Sequence, residues 1–188
     1  MDFSLGLGAA RAGPPFVLSG GERPIMVAVG ETAPDFTLQG GDGFRVETFN
    51  LSEQLRRSGF VVLSFYVYDF SPVCTEQMCE LSNLDVLEMV YDVTLWGLAP
   101  DGPYAHKEFI DEHGIEFPLL CDTAGRVAEA YDVLYEEFDG FERVPERPLL
   151  LVDGDRRVRV RWVADDNWEE WTNEPLRETK AEIEEIRG

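Results

Sequence analysis

Hydrophobic residues cluster most densely in the run Val61-Val62-Leu63-Ser64-Phe65-Tyr66, which carries no charge and is rich in β-branched and aromatic side chains. Such a run predicts a buried strand, and we place a central strand over Val61 to Tyr68. Around it, short strands are predicted at Phe36 to Leu38 and Phe44 to Thr48, a helix at Leu51 to Arg57, and a long helix from Thr75 to Tyr91. A strand at Val93 to Leu98, a helix at Pro103 to His113 and a short helix at Arg126 to Tyr131 follow. Leu149 to Val152 and Arg156 to Val163 flank Asp153-Gly154-Asp155, a turn setting that signals a β-hairpin. In its second strand Val158, Val160 and Trp162 alternate with Arg157, Arg159 and Arg161, so one face is expected inside and the other in solvent. Pro175 to Arg187 has helical periodicity, with Ile183 and Ile186 expected inward. Strands alternating with helices predict an α/β fold.

The central strand runs directly into Ser71-Pro72-Val73-Cys74. Pro72 cannot continue a strand but suits the first turn of a helix, so Cys74 falls at or near a helix N-terminus. The unpaired N–H groups and the positive end of the macrodipole there favour a thiolate, which is the nucleophilic form of cysteine. Cys79 follows five residues later. In an unbroken helix that spacing separates the Cα atoms by about 8.6 Å, beyond the ~7 Å limit for a disulfide, so pairing the two requires the first turn to unwind. Alternatively, Cys79 packs on the buried face beside Leu81. Thr75 is read as a helix cap or first-turn residue, Cys121 as a small buried hydrophobe, and His106 and His113 as members of a solvated helix face.

These residues resemble the active-site signature of the peroxiredoxins, Pro-x-x-x-Thr/Ser-x-x-Cys, which reads here as Val67, Ser71 and Cys74. The resemblance extends over residues 31 to 163. Ala33-Pro34-Asp35-Phe36, with Gly30 before it, is similar to the family's opening; Gly97 to Phe109 resembles its second strand-to-helix turn, and Phe117 to Asp122 its F-P-L-L-S-D. Arg147-Pro148-Leu149-Leu150-Leu151-Val152-Asp153 resembles R-x-x-F-x-I-D. Cys79 matches the resolving cysteine of the subgroup resembling bacterioferritin comigratory protein, the Q-type peroxiredoxins. The resemblance implies a thioredoxin-like fold, a central mixed β-sheet flanked by helices. It also implies that Cys74 is the peroxidatic cysteine, Cys79 the resolving one, and Ser71 and Arg147 the groups that position the peroxide. A fixed guanidinium favours both the thiolate and the charge that develops as the peroxide bond breaks. The implied partners are hydrogen peroxide or a small alkyl hydroperoxide and a thioredoxin- or glutaredoxin-like dithiol reductant. The departures are Val67 for the family's proline, Gln77 for its glutamate, which still offers a hydrogen bond to an arginine, and Ser82-Asn83 for an Arg-Asp pair. With Val67 in place, the alternative function is a redox sensor or a non-catalytic binding module; a Cys-x-x-Cys oxidoreductase is disfavoured by the longer spacing.

Composition sets the context for this chemistry. The chain has 188 residues, enough for one domain with a substantial core, and its formal charge is −21, from 37 acidic and 16 basic residues. Lys107 and Lys180 are the only lysines. A carboxylate-covered surface of this kind fits a salt-adapted protein, in which molar salt screens repulsion, and argues against a nucleic-acid partner. No apolar run is long enough for a transmembrane helix, no ligand spacing or phosphate loop points to a metal or organic cofactor, and three cysteines without a secretion signal suit the cytoplasm. Residues 1–25 read as a loose tail, with Met26 an alternative start, and 26–188 as the domain, monomeric or homodimeric.

Overall fold

Phe60–Phe65 forms the middle of the molecule, the strand β3, and every one of its six residues is buried. Its side chains alternate between two cores. Phe60 and Val62 join one cluster, while Val61, Leu63 and Phe65 join the other. A strand covered on both faces must be hydrophobic throughout, which explains the unbroken apolar run. The computed structural model describes residues 27–82, 93–138, 140–164 and 171–188.

In chain order the elements are β1 (Thr37–Gly41), β2 (Val46–Asn50), α1 (Leu51–Leu55), β3, α2 (Pro72–Ser82), β4 (Val93–Ala99) and α3 (Pro103–His113). Then come β5 (Leu119–Cys121), α4 (Arg126–Ala130), β6 (Leu134–Phe138), β7 (Phe141–Pro145), β8 (Pro148–Asp153), β9 (Val158–Val163) and α5 (Glu174–Arg187). Seven strands form one sheet in the order β2-β1-β5-β4-β3-β8-β9. β3, β4 and β5 run parallel, and β8 pairs antiparallel with β3. This mixed sheet with helices on both faces is the thioredoxin-like arrangement expected from the sequence. One face carries Cys74, Met78, Leu81, Phe109, Ile110, Leu176 and Ile183 from α2, α3 and α5; the other carries Leu51, Leu55, Val127 and Ala128 from α1 and α4.

The Pro103–His113 helix appears as predicted, closed by Gly114 in the left-handed conformation at φ 64°. Several expectations change. β3 ends at Phe65 instead of Tyr68; the Tyr66 N–H donates the last ladder bond, to Leu98 O, and the loop toward α2 follows. The hairpin β6–β7 and the short strand β5 were not anticipated. The first is half-exposed and rich in Glu, and the second has only three residues. Ile183 is buried, but Ile186 is 40% exposed. The expected extension of α2 to Tyr91 beyond Ser82, the tail 1–25 and most of the acidic link after Ala164 lie outside the described residues. Trp171 is buried edge-on against Trp162 at 5.7 Å. Among the described residues no helix is long and apolar enough to cross a membrane.

Candidate active site

The pairing register determines where the chemistry gathers. β3 and β8 pair as Phe60↔Asp153 through Ser64↔Leu149, so the residue just before β8, Arg147, stands at the end of β3 where the chain turns into α2. Cys74 is the third residue of α2, following Pro72 and Val73 in its first turn. The Ser71 carbonyl accepts the Thr75 N–H at 2.8 Å, which places Ser71 at the helix boundary and Cys74 among the N–H groups that have no partner within the helix. Cys74 and Arg147 are both completely buried, and a charge on Cys74 would act on the guanidinium. Burial pulls the Arg147 guanidinium below its ordinary value, while Cys74, Glu76 and Tyr135 act in the opposite sense. The structure thus brings Cys74, Ser71 and Arg147 to one end of β3.

Val67 is half-buried and packs, with Val73, against the apolar cluster that contains Cys74. Gln77 Nε2 donates to Ser64 Oγ at 2.9 Å and to the Phe65 carbonyl at 3.2 Å, so its amide N–H groups bind β3. Cys79 lies on the same helix as Cys74 but on a half-buried face, and all three cysteines are free thiols. Burial and the neighbouring Glu80 carboxylate push the Cys79 thiol up, which disfavours its thiolate.

The loop from Tyr66 to Ser71 is held from below by groups that the motif does not contain. The Tyr66 hydroxyl donates to Asp69 Oδ1 at 2.8 Å, His106 Nδ1 lies 2.9 Å from Asp69 Oδ2, and the Asp69 N–H donates to Asp101 Oδ2 at 3.0 Å. These contacts hold Phe70 in the left-handed region at φ 61°, a conformation that costs a non-glycine residue about 1–3 kcal/mol. The Phe70 ring also packs edge-on against Phe109 at 5.1 Å. The expectation of a solvated His106 is therefore wrong, since its side chain is 1% exposed. Helical spacing held the clue: His106 precedes Phe109 and Ile110 by three and four residues and shares their inward face. On the other side of the site, Tyr68 meets Phe141 of the hairpin at 5.4 Å.

Comparison with known proteins agrees with this geometry. Residues 29–161 match the model of the AhpC/TSA family. The chain is 32% identical over 140 residues to peroxiredoxin Bcp of Bacillus subtilis, covering 73% of this chain and 86% of that protein. Among solved structures it is similar to peroxidoxin BcpB from Mycobacterium tuberculosis, with a TM-score of 0.72, 25% identity and coverage of 85% of this chain and 98% of that one. A mutant of PrxQ from Xylella fastidiosa shares the fold with a TM-score of 0.70 at 20% identity, covering 86% and 98% of the two chains. A family match across most of the chain, joined to a buried cysteine at a helix start beside a buried arginine, places this protein in the AhpC/TSA family as a peroxiredoxin, a thiol-dependent peroxidase.

Proposed function

We propose that Cys74 is the peroxidatic cysteine, Cys79 the resolving cysteine, and Ser71 and Arg147 the groups that position the peroxide. The observation that carries this reading is the burial of Cys74 and Arg147 together at the start of α2. The Cys74 thiolate attacks one oxygen of hydrogen peroxide or a small alkyl hydroperoxide; an S–O bond forms and the O–O bond breaks. Sulfur is oxidised to a sulfenic acid, and the leaving oxygen departs as water or alcohol after taking a proton. Arg147 offsets the negative charge on both sulfur and the leaving oxygen, which is where a fixed buried cation acts most strongly. The Ser71 hydroxyl, at the helix boundary, orients the peroxide.

In the second step Cys79 attacks the Cys74 sulfenic acid, a disulfide forms and water leaves. With both cysteines in one helix, about 8.6 Å apart between Cα atoms, α2 must lose its first turn for this to happen. That turn is held by the Thr75 N–H to Ser71 carbonyl bond, and opening it draws Cys74 out of the apolar cluster it shares with Met78 and Leu81. A thioredoxin-like dithiol then reduces the disulfide by exchange.

Peptide mapping without reductant, after one equivalent of hydrogen peroxide, tests the assignment. The expected product is a Cys74–Cys79 disulfide in the parent protein and a trappable Cys74 sulfenic acid in Cys79→Ser. A disulfide between other cysteines, or a Cys79→Ser variant that turns over with dithiol unchanged, would remove Cys79 from the resolving role.

A further inference from the structure

Asp69 sits in the loop between β3 and α2, five residues before Cys74, and is buried. Three groups hold it at once. Its Oδ1 accepts the Tyr66 hydroxyl at 2.8 Å, its Oδ2 lies 2.9 Å from His106 Nδ1, and its own N–H donates to Asp101 Oδ2 at 3.0 Å. The chemistry proposed for Cys74, Cys79, Ser71 and Arg147 uses none of these side chains. A buried carboxylate is tolerated only when it is paired, and the partners here come from three places: just after β3, the turn before α3 and the first turn of α3.

α3 holds the same loop at a second point. Phe109, three residues on from His106 and on the same inward face, meets the Phe70 ring at 5.1 Å. Between these two holds Phe70 keeps its left-handed backbone at φ 61°, a conformation that persists in a non-glycine residue only while its surroundings impose it. Ser71 comes next, and its carbonyl accepts the Thr75 N–H of the first turn of α2. The chain thus passes from the Asp69 clamp, through a strained residue, into the turn that carries Cys74. Cys74 packs in the same apolar cluster as Tyr66 and Phe109.

We infer that Asp69 and His106 are positioning residues for the peroxide reaction: their buried pair clamps the loop so that the first turn of α2 stays wound with Cys74 seated, and it sets how readily that turn unwinds toward Cys79. The inference rests on the roles proposed for Cys74 and Cys79. Its consequence is that the two chemical steps respond in opposite directions. A weaker clamp lowers the share of molecules with Cys74 seated for attack, so the sulfenic acid forms more slowly; it also lowers the cost of unwinding, so the disulfide closes faster. A loss of global stability in a protein that is still folded moves neither rate.

The test is rapid-quench mass spectrometry of the reduced full chain mixed with hydrogen peroxide, which counts thiol, sulfenic acid and disulfide at each time. We expect His106→Leu to form the sulfenic acid about tenfold more slowly than the parent and to convert it to the disulfide several times faster. His106→Asn, whose amide offers Asp69 a donor in place of Nδ1, should regain most of both rates. Should His106→Leu fail to fold, Tyr66→Phe, which removes the hydroxyl donor to Asp69, is expected to show the same opposed changes. Unchanged rates in a folded His106→Leu or Tyr66→Phe, two rates that fall together, or a His106→Asn no better than His106→Leu would each overturn the inference and leave the cysteine roles standing. A parent protein that forms no Cys74–Cys79 disulfide would overturn those roles and the inference with them.

Discussion

His106 Nδ1 lies 2.9 Å from Asp69 Oδ2, and each side chain is only 1% exposed. Burial alone would depress the imidazole, but the hydrogen bond and charge of Asp69, helped by Cys121, win and raise it from 6.5 to about 9. The folded state then holds a proton on His106 that the unfolded state releases near pH 6.5. Stability from this pair is complete below pH 6.5 and is lost as pH rises toward about 9. Linkage puts the loss at roughly 3 kcal/mol or less. Denaturant titrations across that window should show the decline, and His106→Asn should flatten it; a parent protein equally stable at both ends would contradict the ion pair.

Gly97 lies in β4 directly beneath the active-site helix. A Cβ there would stand 2.5 Å from Leu119 Cδ2, 3.3 Å from Tyr66 Cε1 and 3.4 Å from Met78 Sδ. All three neighbours are fully buried and have little room to yield. Gly97→Ala should cost about 1–3 kcal/mol in denaturant unfolding, the range for overpacking. It should also slow the reaction with peroxide, because the strain reaches Tyr66 below Cys74.

Gln77 is buried, and its amide nitrogen serves two acceptors, Ser64 Oγ and Phe65 O. Gln77→Glu replaces a donor with an acceptor and leaves the Phe65 carbonyl facing a carboxylate. The expected cost is about 1–3 kcal/mol at neutral pH, falling as pH drops and the new acid is protonated. Denaturant midpoints measured at several pH values would show this slope.

The charge of −21 is largely on the surface, with Glu174, Glu178, Glu184 and Glu185 all exposed along α5. At 1 M salt the screening length is about 3 Å against about 10 Å at 0.1 M, so repulsion among such groups is nearly removed. Thermal melts should show a higher midpoint in molar KCl than in dilute buffer, and equal midpoints would contradict salt adaptation.

Much of the fold was legible because its signals are local. The uncharged run at Val61 to Phe65 announces a strand buried on both faces, and Pro72 followed by Cys74 announces a cysteine at a helix start. The β8–β9 pairing could be read from the Asp153-Gly154-Asp155 turn. What sequence could not show was long-range. Arg147 reaches Cys74 through the β3–β8 register, which only the sheet sets; the family motif, not its spacing, pointed to it. Asp69 and His106 are 37 residues apart, and a histidine among charged neighbours reads as solvated until α3 is docked.

The most direct test is the second-order rate of hydrogen peroxide with the reduced protein in molar KCl, followed by stopped-flow tryptophan fluorescence. The parent should react on the order of a thousandfold or more above a free thiol, and replacing Arg147 with Met should slow it by about 10²–10³. Cys74→Ser should abolish the fast phase. A parent rate near that of a free thiol, or a fast phase that survives Cys74→Ser, would contradict the assignment of Cys74 as the thiolate that breaks the peroxide bond.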